Sequence, residues 1–324
     1  MLFRSNNGKN DKFVPYSATG ALPMGYFDMK KTYLWKMAQE YTLSDQFYQS
    51  AFGGSFLNHQ WLIAAQTPKY ENAPEQIKMI LKSDGIPVKA TLLTPDGYAV
   101  NSIQPSESPF DPAVPENEKR LPPLKYNTIG DLLSEKNISW AWYAGGWNDI
   151  LKGKNDADFQ FHHQPFLYFK KYGPNTRARE NFLKDENDLF AAIENKSLPS
   201  VSFFKPVGNE NAHPGYSNVS SGDEKVRKVV ESLQKSPYWE KMLIIVTFDE
   251  HGGFWDPKAP PQKDRWGLGT RIPAIFISPH VKKGFVDHTQ YETTSILAFL
   301  EKRYDLKPLT DRDKQANPLT GIWK

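Results

Sequence analysis

The chain has 324 residues, 39% hydrophobic and 24% charged. It is long and apolar enough to bury one large core or two modest ones, which excludes a disordered tail or a fibre. Lys+Arg at 40 against Asp+Glu at 37 leave a net charge of +3, too weak a field to gather nucleic acid, so any anion-binding function has to be local. Absence of cysteine removes disulfide frameworks, thiolate metal cages and thiol nucleophiles. The longest apolar runs, such as 242–248, fall far short of the roughly 20 residues of a membrane span, so no integral membrane segment is expected.

Residues 1–10 read as an irregular start, with neither the charged-then-apolar order of a signal peptide nor the alternation of a strand. In the stretch 28–41, Tyr33, Leu34, Met37, Ala38 and Tyr41 recur at helical spacing, and 42–47 follows as a short extended piece. Gly53 and Gly54 then break the pattern. Ser55 stands where a helix N-cap belongs, ahead of Phe56, Leu57, Trp61, Leu62 and Ile63. The span 68–127 is rich in Pro, Asp, Glu, Ser and Asn, with a hairpin signal at Pro95, Asp96 and Gly97, and reads as a lid inserted in a single domain covering 11–324.

Regular alternation resumes at Thr128, which caps a helix to Lys136, with a strand at 138–144 ending in Gly145 and Gly146. Helix 185–195 precedes strand 200–204. Helix 223–234, with Val226, Val229, Val230 and Leu233 on one face, precedes the near-continuous apolar run 242–248, expected to be a fully buried parallel strand. A strand at 272–277 and an amphipathic helix at 291–304 close the pattern. This alternation predicts an α/β fold, a three-layer sandwich with a mostly parallel central sheet.

In such a sheet, ligands bind at the carboxyl ends of the strands, so the residues found there carry the chemistry. Asp249 and Glu250 leave the buried apolar strand into a Gly252-Gly253 turn, where two carboxylates can swing toward one cation. Oxygen donors without cysteine suit a hard divalent metal. An acidic loop solvated at the surface is the plainer alternative. Ser55 reads from its position first as a helix cap, and the same helix N-terminus, with free N–H groups and the positive dipole end, also favours an anion beside its hydroxyl. Asn58 lies one turn on as a neutral donor to a substrate, and the stretch is not a G-x-S-x-G elbow. Of the seven histidines, His162, His163, His213 and His251 fall in loops at that same sheet edge, placed to bind a phosphoryl group or to protonate a leaving alkoxide. His59 and His280 read better as structural. Trp140, Trp142, Trp147 and the 68–127 lid are expected to surround an apolar leaving group.

Four separated runs carry a resemblance. Ala51-Phe-Gly-Gly-Ser-Phe-Leu-Asn-His-Gln60, His162-His-Gln-Pro-Phe166, Asn209-Glu-Asn-Ala-His-Pro214 and Thr247-Phe-Asp-Glu-His-Gly-Gly-Phe-Trp-Asp256 resemble, in order, the bacterial phosphoesterases of the acid phosphatase A and non-haemolytic phospholipase C group. Asp287-His-Thr-Gln-Tyr291 fits as well. The resemblance implies an alkaline-phosphatase-like core and metal-assisted phosphoester hydrolysis through a phosphoserine. In it Ser55 is nucleophile and metal ligand, Asp249 and Glu250 are further ligands of a divalent cation, and His163 and His213 are catalytic. His162, Asn58 and His251 then stand beside the substrate. Family members also carry an initial strand ending in a Glu-Asn pair of metal ligands. No such pair is found here, and this suggests a sequence lacking that strand.

The serine within Gly-Gly-Ser-Phe-Leu-Asn-His leans toward the acid phosphatase branch. The alternatives are a phospholipase C or other phosphodiesterase, and a catalytically incomplete relative that only binds. Small phosphoesters, phospholipids included, are the implied partners. The family's members are usually exported, which implies a periplasmic or secreted location although no signal peptide is seen.

Overall fold

Local capping chemistry sets most helix starts. Thr32 caps α1 (Tyr33–Glu40) by accepting the Trp35 N–H, and the chain turns straight into β1 (Thr42–Ser44) and β2 (Phe47–Tyr48). Next come α2 (Ser55–Ala64) and an antiparallel hairpin, β3 (Ile80–Leu81) and β4 (Pro87–Lys89). Thr128 and Asp131 form a reciprocal capping box at α3 (Ile129–Glu135), followed by β5 (Trp140–Ala144) and α4 (Trp147–Leu151). After α5 (Arg177–Phe182) and β6 (Leu183–Asp185), Asp185 and Asp188 box the start of α6 (Glu186–Glu194). Then β7 (Val201–Lys205), α7 (Val219–Gln234, capped by Asn218) and β8 (Ile244–Thr247) succeed one another. The chain closes with β9 (Ala274–Ile277), β10 (Phe285–Asp287), β11 (Tyr291–Glu292), α8 (Thr293–Tyr304) and α9 (Asp311–Lys314). This computed structural model describes residues 9–324 except 16, 18, 84 and 155–157, so the expected irregular start lies for the most part outside the described residues.

The fold is α/β, with its strands gathered in two principal sheets. One runs β6-β5-β7, all parallel; the other runs β10-β1-β9-β8. In the second sheet β9 is antiparallel to both β1 and β8, which departs from the mostly parallel sheet expected. The cause lies in the connection: parallel neighbours need a crossover, usually a helix, and 248–273 contains none. The extended piece expected at 42–47 is likewise two strands, because β2 leaves the main sheet to pair with β11.

Strand β8 is not fully buried as its composition suggested. All its residues are half-exposed, since it pairs with β9 on one side only. Among the described residues, strand β7 likewise pairs only with β5. The open edges of β7 and β8 border one cavity of about 1250 Å³. Helix α7 bridges the pair on one side, Val229 and Leu233 packing with Phe204 of β7 and Ile244 of β8.

The 68–127 segment lies on the main core, with Ile77, Leu93, Ile103, Leu121 and Leu124 buried in it. A tight turn forms where Pro95, Asp96 and Gly97 predicted one, closed by Gly97 N–H donating to Thr94 O at 3.0 Å, with Gly97 at φ +89°. None of the segment's described residues lines this cavity.

Candidate active site

The turn ahead of α2 sets the site. Gly54 is the N-cap and no side chain caps this helix, so Ser55 is the first helical residue and not the cap that its position suggested. Its hydroxyl is therefore free for other work. Gly53 packs closely, since a Cβ there would come within 2.6 Å of Leu57 Cδ2 and the leucine would have to shift. Asn58 holds the turn. Its Nδ2 donates to Gly53 O (3.1 Å) and Gly54 O (3.3 Å), and its Oδ1 accepts from Ala51 N (3.2 Å). The amide put forward as a substrate donor is thus spent on the backbone that aims Ser55.

Opposite stands the loop leaving β8. The Ser55 hydroxyl helps to stabilise the Asp249 carboxylate. Lys205 Nζ, at the end of β7, lies 3.3 Å from Asp249 Oδ1. Oδ2 is 3.6 Å from His59 Nδ1, shut off from solvent and without a hydrogen bond. Burial works against a charge on Asp249, yet Lys205, His59 and Ser55 hold its pKa below the usual carboxylate range. Glu250 behaves oppositely: burial and then the neighbouring Asp249 charge push it up to about 7. Its Oε2 accepts the Gly252 N–H at 2.8 Å, a turn made possible by Gly252 and Gly253 at φ +64° and +83°. His251 lies with Nδ1 3.6 Å from Glu250 Oε2, and its ring packs against Phe13 and Phe52.

Three imidazoles cluster behind Ser55. The His59 ring centroid is 5.7 Å from that of His163 and 6.1 Å from that of His162, and the last two are 4.8 Å apart. His59 and His163 are almost wholly buried, and burial lowers all three pKa values: His59 to about 4, His162 to about 3, His163 well below its ordinary value. All three are neutral at ordinary pH, so they offer single N–H donors or lone pairs and no positive charge. The nearby charge comes from Lys205. His59 Nδ1 contacts the Ser55 carbonyl oxygen at 2.6 Å, which fixes its hydrogen on Nδ1. His213 is fixed in the same way: Nδ1 donates to Pro214 O at 2.7 Å while the ring stacks on Tyr216, leaving Nε2 as the working nitrogen.

Ser55, Asn58, His59, Lys205, His213, Asp249, Glu250 and His251 all line this cavity. His59 and Lys205 are the members that sequence reasoning missed. The available signal was spacing: His59 is one helical turn after Ser55, and Lys205 ends a strand beside the acidic loop. Trp140 and Trp147 are buried in the core, their indole N–H groups held by Ser134 and by the Leu183 carbonyl; of the three tryptophans only Trp142 reaches the cavity. His280 Nε2 donates to the Glu240 carbonyl oxygen at 2.8 Å, and His280 also lines the cavity.

Ser55, Asp249 and Glu250 fit a hard divalent cation in kind, and the unpartnered Asp249 Oδ2 is a natural ligand atom. They fall short in number. Among the described residues there is no group of three or more His, Cys, Asp or Glu placed to hold a metal, and Lys205 already faces the other Asp249 oxygen.

A family model described as the phosphoesterase family matches residues 3–307. The chain belongs to the phosphoesterase family. It is 25% identical to the non-hemolytic phospholipase C of Pseudomonas aeruginosa over 92% of this chain and 42% of that protein. It is 26% identical to phospholipase C B of Mycobacterium tuberculosis, over 92% of this chain and 57% of that one. With non-specific phospholipase C4 of Arabidopsis thaliana it shares 36% identity over 64% of this chain and 41% of the relative. The chain thus spans less than two thirds of the length of these curated relatives. Among solved structures, an alkaline phosphatase superfamily protein from Vibrio parahaemolyticus superposes with a TM-score of 0.48 at 14% identity, covering 87% of this chain and 62% of that one.

Proposed function

We propose that this chain hydrolyses phosphoric esters by nucleophilic attack of Ser55 on phosphorus, through a phosphoserine. The observation that carries the reading is the Ser55 hydroxyl itself: it sits in the first turn of α2, is spent on no cap, and lies against a buried carboxylate paired with Lys205. Asp249 orients the hydroxyl. Lys205 and the free N–H groups at the start of α2 stabilise charge developing on the phosphoryl oxygens, and they do so from a largely desolvated setting where such effects are strong. His162 and His163 are not among the residues lining the cavity and pack against His59, whose place they set. His213 Nε2 takes the Ser55 proton on attack and passes it to the leaving alkoxide, then takes a proton from the water that cleaves the phosphoserine and returns it to Ser55. Ser55, Asp249 and Glu250 would need further ligands to hold the divalent cation that the family resemblance implies, whose chemistry would be Lewis-acid stabilisation of the nucleophile.

The acid phosphatase branch was the sequence expectation, whereas the relatives named above are phospholipases C. The apolar lining of the cavity favours a diester with an apolar leaving group as the second reading. The test is turnover of p-nitrophenyl phosphate against p-nitrophenylphosphorylcholine, with and without added Mg²⁺, Mn²⁺ or Zn²⁺, and intact mass after rapid acid quench. A mass increase of one phosphoryl group, lost in Ser55→Ala, supports the covalent step. Turnover surviving that substitution refutes it, and ligand binding with no turnover of either ester supports the catalytically incomplete alternative. An exported location is proposed on the family resemblance alone, and cell fractionation tests it.

A further inference from the structure

The strip 49–53 joins β2 to the turn that presents Ser55, and each of its residues is tied down. Gln49 C=O accepts the Gly269 N–H at 2.8 Å; its side chain accepts the Thr270 N–H (2.9 Å) and donates to Gly53 O (3.1 Å). Ala51 N–H goes to Asn58, and Phe52 N–H donates to Trp266 O at 2.8 Å. Ser50 differs, because the groups that hold it are charged. Its carbonyl oxygen accepts Arg312 Nη2 at 2.7 Å, and its hydroxyl donates to Glu292 Oε2 at 2.9 Å while accepting the Thr294 N–H at 2.9 Å.

Arg312, in α9, and Glu292, at the end of β11, also pair with each other. Nη2 lies 3.0 Å from Oε2 and Nε 3.3 Å from Oε1, with the two residues 8% and 2% exposed. Lys263 Nζ reaches Glu292 Oε1 at 2.6 Å, and Arg312 Nη1 pairs with Asp264. The guanidinium lies over the ring of Trp61, on the same helix as Ser55, 4.9 Å from its centroid. Arg312 thus spends Nε, Nη1 and Nη2 on Glu292, Asp264 and the Ser50 carbonyl, directions that a rigid planar fork fixes and a lysine ammonium does not. Replacing a buried ion pair by apolar residues of similar volume is often neutral or stabilising, so stability alone does not account for the cluster. Ser50, Lys263, Asp264, Glu292 and Arg312 do not line the cavity, so they act on the reaction only through other groups.

We propose that Arg312 and Glu292 are positioning residues for the nucleophile: they fix the plane of the Ser50 peptide and, through the strip 49–53, the place of the Ser55 hydroxyl beside Asp249. The inference rests on Ser55 being the nucleophile. The strip has little slack, because Gly53 O is held by both Gln49 and Asn58, so a rotation of the Ser50 peptide is passed on to the turn and not absorbed. Arginine is required at 312 for its geometry, and lysine keeps the charge without the fork.

The test compares Arg312→Lys and Glu292→Gln with the parent in steady-state turnover of whichever p-nitrophenyl ester is the better substrate, and in residue-resolved hydrogen exchange on the full chain. Ile322→Ala, which opens a cavity in the second core, controls for loss of stability alone. Expected in both cluster variants is a fall in kcat of about tenfold to a hundredfold, with KM within about twofold of the parent. The Ala51 and Phe52 N–H groups should exchange about tenfold faster or more, and Ile322→Ala should show neither change. Unchanged exchange at Ala51 and Phe52 would overturn the proposal whether or not the chain turns over an ester. Faster exchange with kcat unchanged, or an equal fall of kcat in Ile322→Ala, would overturn it in favour of a purely structural cluster. A parent inactive on both esters would refute the hydrolase reading instead, and exchange would then decide the clamp on its own.

Discussion

Replacing Lys205 by Met isolates the electrostatics of the site. Lys205 Nζ and Asp249 Oδ1 are 3.3 Å apart, with side chains 16% and 19% exposed. At an effective dielectric of about 20 the attraction is about 5 kcal/mol, and removing one partner of a largely buried pair typically costs about 3–5 kcal/mol. Residual solvent contact on both partners places Lys205→Met near the lower end, about 3 kcal/mol at pH 7. The loss has a pH signature. In the parent, Asp249 has a depressed folded pKa, so its contribution is present above about pH 4, the unfolded value, and is lost as pH falls through the folded one. Without Lys205, burial is less opposed and the folded pKa rises. The variant then takes up a proton on acidification, and the stability gap to the parent narrows below neutral pH. Urea unfolding at pH 7 and at about pH 4.5 measures both gaps, and Lys205→Met with Asp249→Asn completes a double-mutant cycle, expected to recover about half of the loss. A gap below about 0.5 kcal/mol at pH 7, or one that is the same at both pH values, would show that the pair is not buried and coupled as described.

Ser55→Ala should cost about 1–2 kcal/mol through the buried Asp249 carboxylate that the hydroxyl supports and not through a cap, since Gly54 caps α2; the same loss in an Asp249→Asn background, measured by calorimetry, would mean that the hydroxyl caps after all. Asn58→Ala should cost about 2–3 kcal/mol by leaving the Ala51 N–H and two carbonyls unpaired, and should depress kcat more than KM by loosening the turn that aims Ser55, which steady-state kinetics would separate. Because burial holds His59 near 4 and His162 near 3, the unfolded chain binds more protons than the folded one below about 6.5. Stability should therefore fall on acidification from about 6.5 towards 4, with a shallower slope in His162→Gln. Imidazole NMR shifts that titrate near 6.5 in the folded protein would contradict this.

Much of the site was legible in residue order because it lies where local rules operate. Two carboxylates after an apolar strand mark Asp249 and Glu250 from neighbours alone, whereas a glycine pair before a serine and an apolar helix marks Ser55 first as a cap and only the family resemblance makes it a nucleophile; the structure brings the three to one cavity. His59 escaped notice because a histidine on a buried helix face looks structural, and only its closeness to the Ser55 carbonyl and to Asp249 shows otherwise. Asn58 was visible as a residue and misread as a contact, because its partners lie in the turn behind it.

What the sequence determined by itself is therefore the set of elements held by caps and periodicity: α1, α3, α6, α7 and α8, the strands β5, β7, β8 and β9, and the residue types at their ends. Tertiary structure alone decided the antiparallel course of β9, the departure of β2 to pair with β11, and the open edges of β7 and β8. Helix signals act over three or four residues, whereas strand pairing joins residues more than 200 positions apart, as Thr42 with Phe285, through backbone groups that are the same in every amino acid. Side-chain order can announce a strand, but only the assembled sheet shows which of its edges has a neighbour.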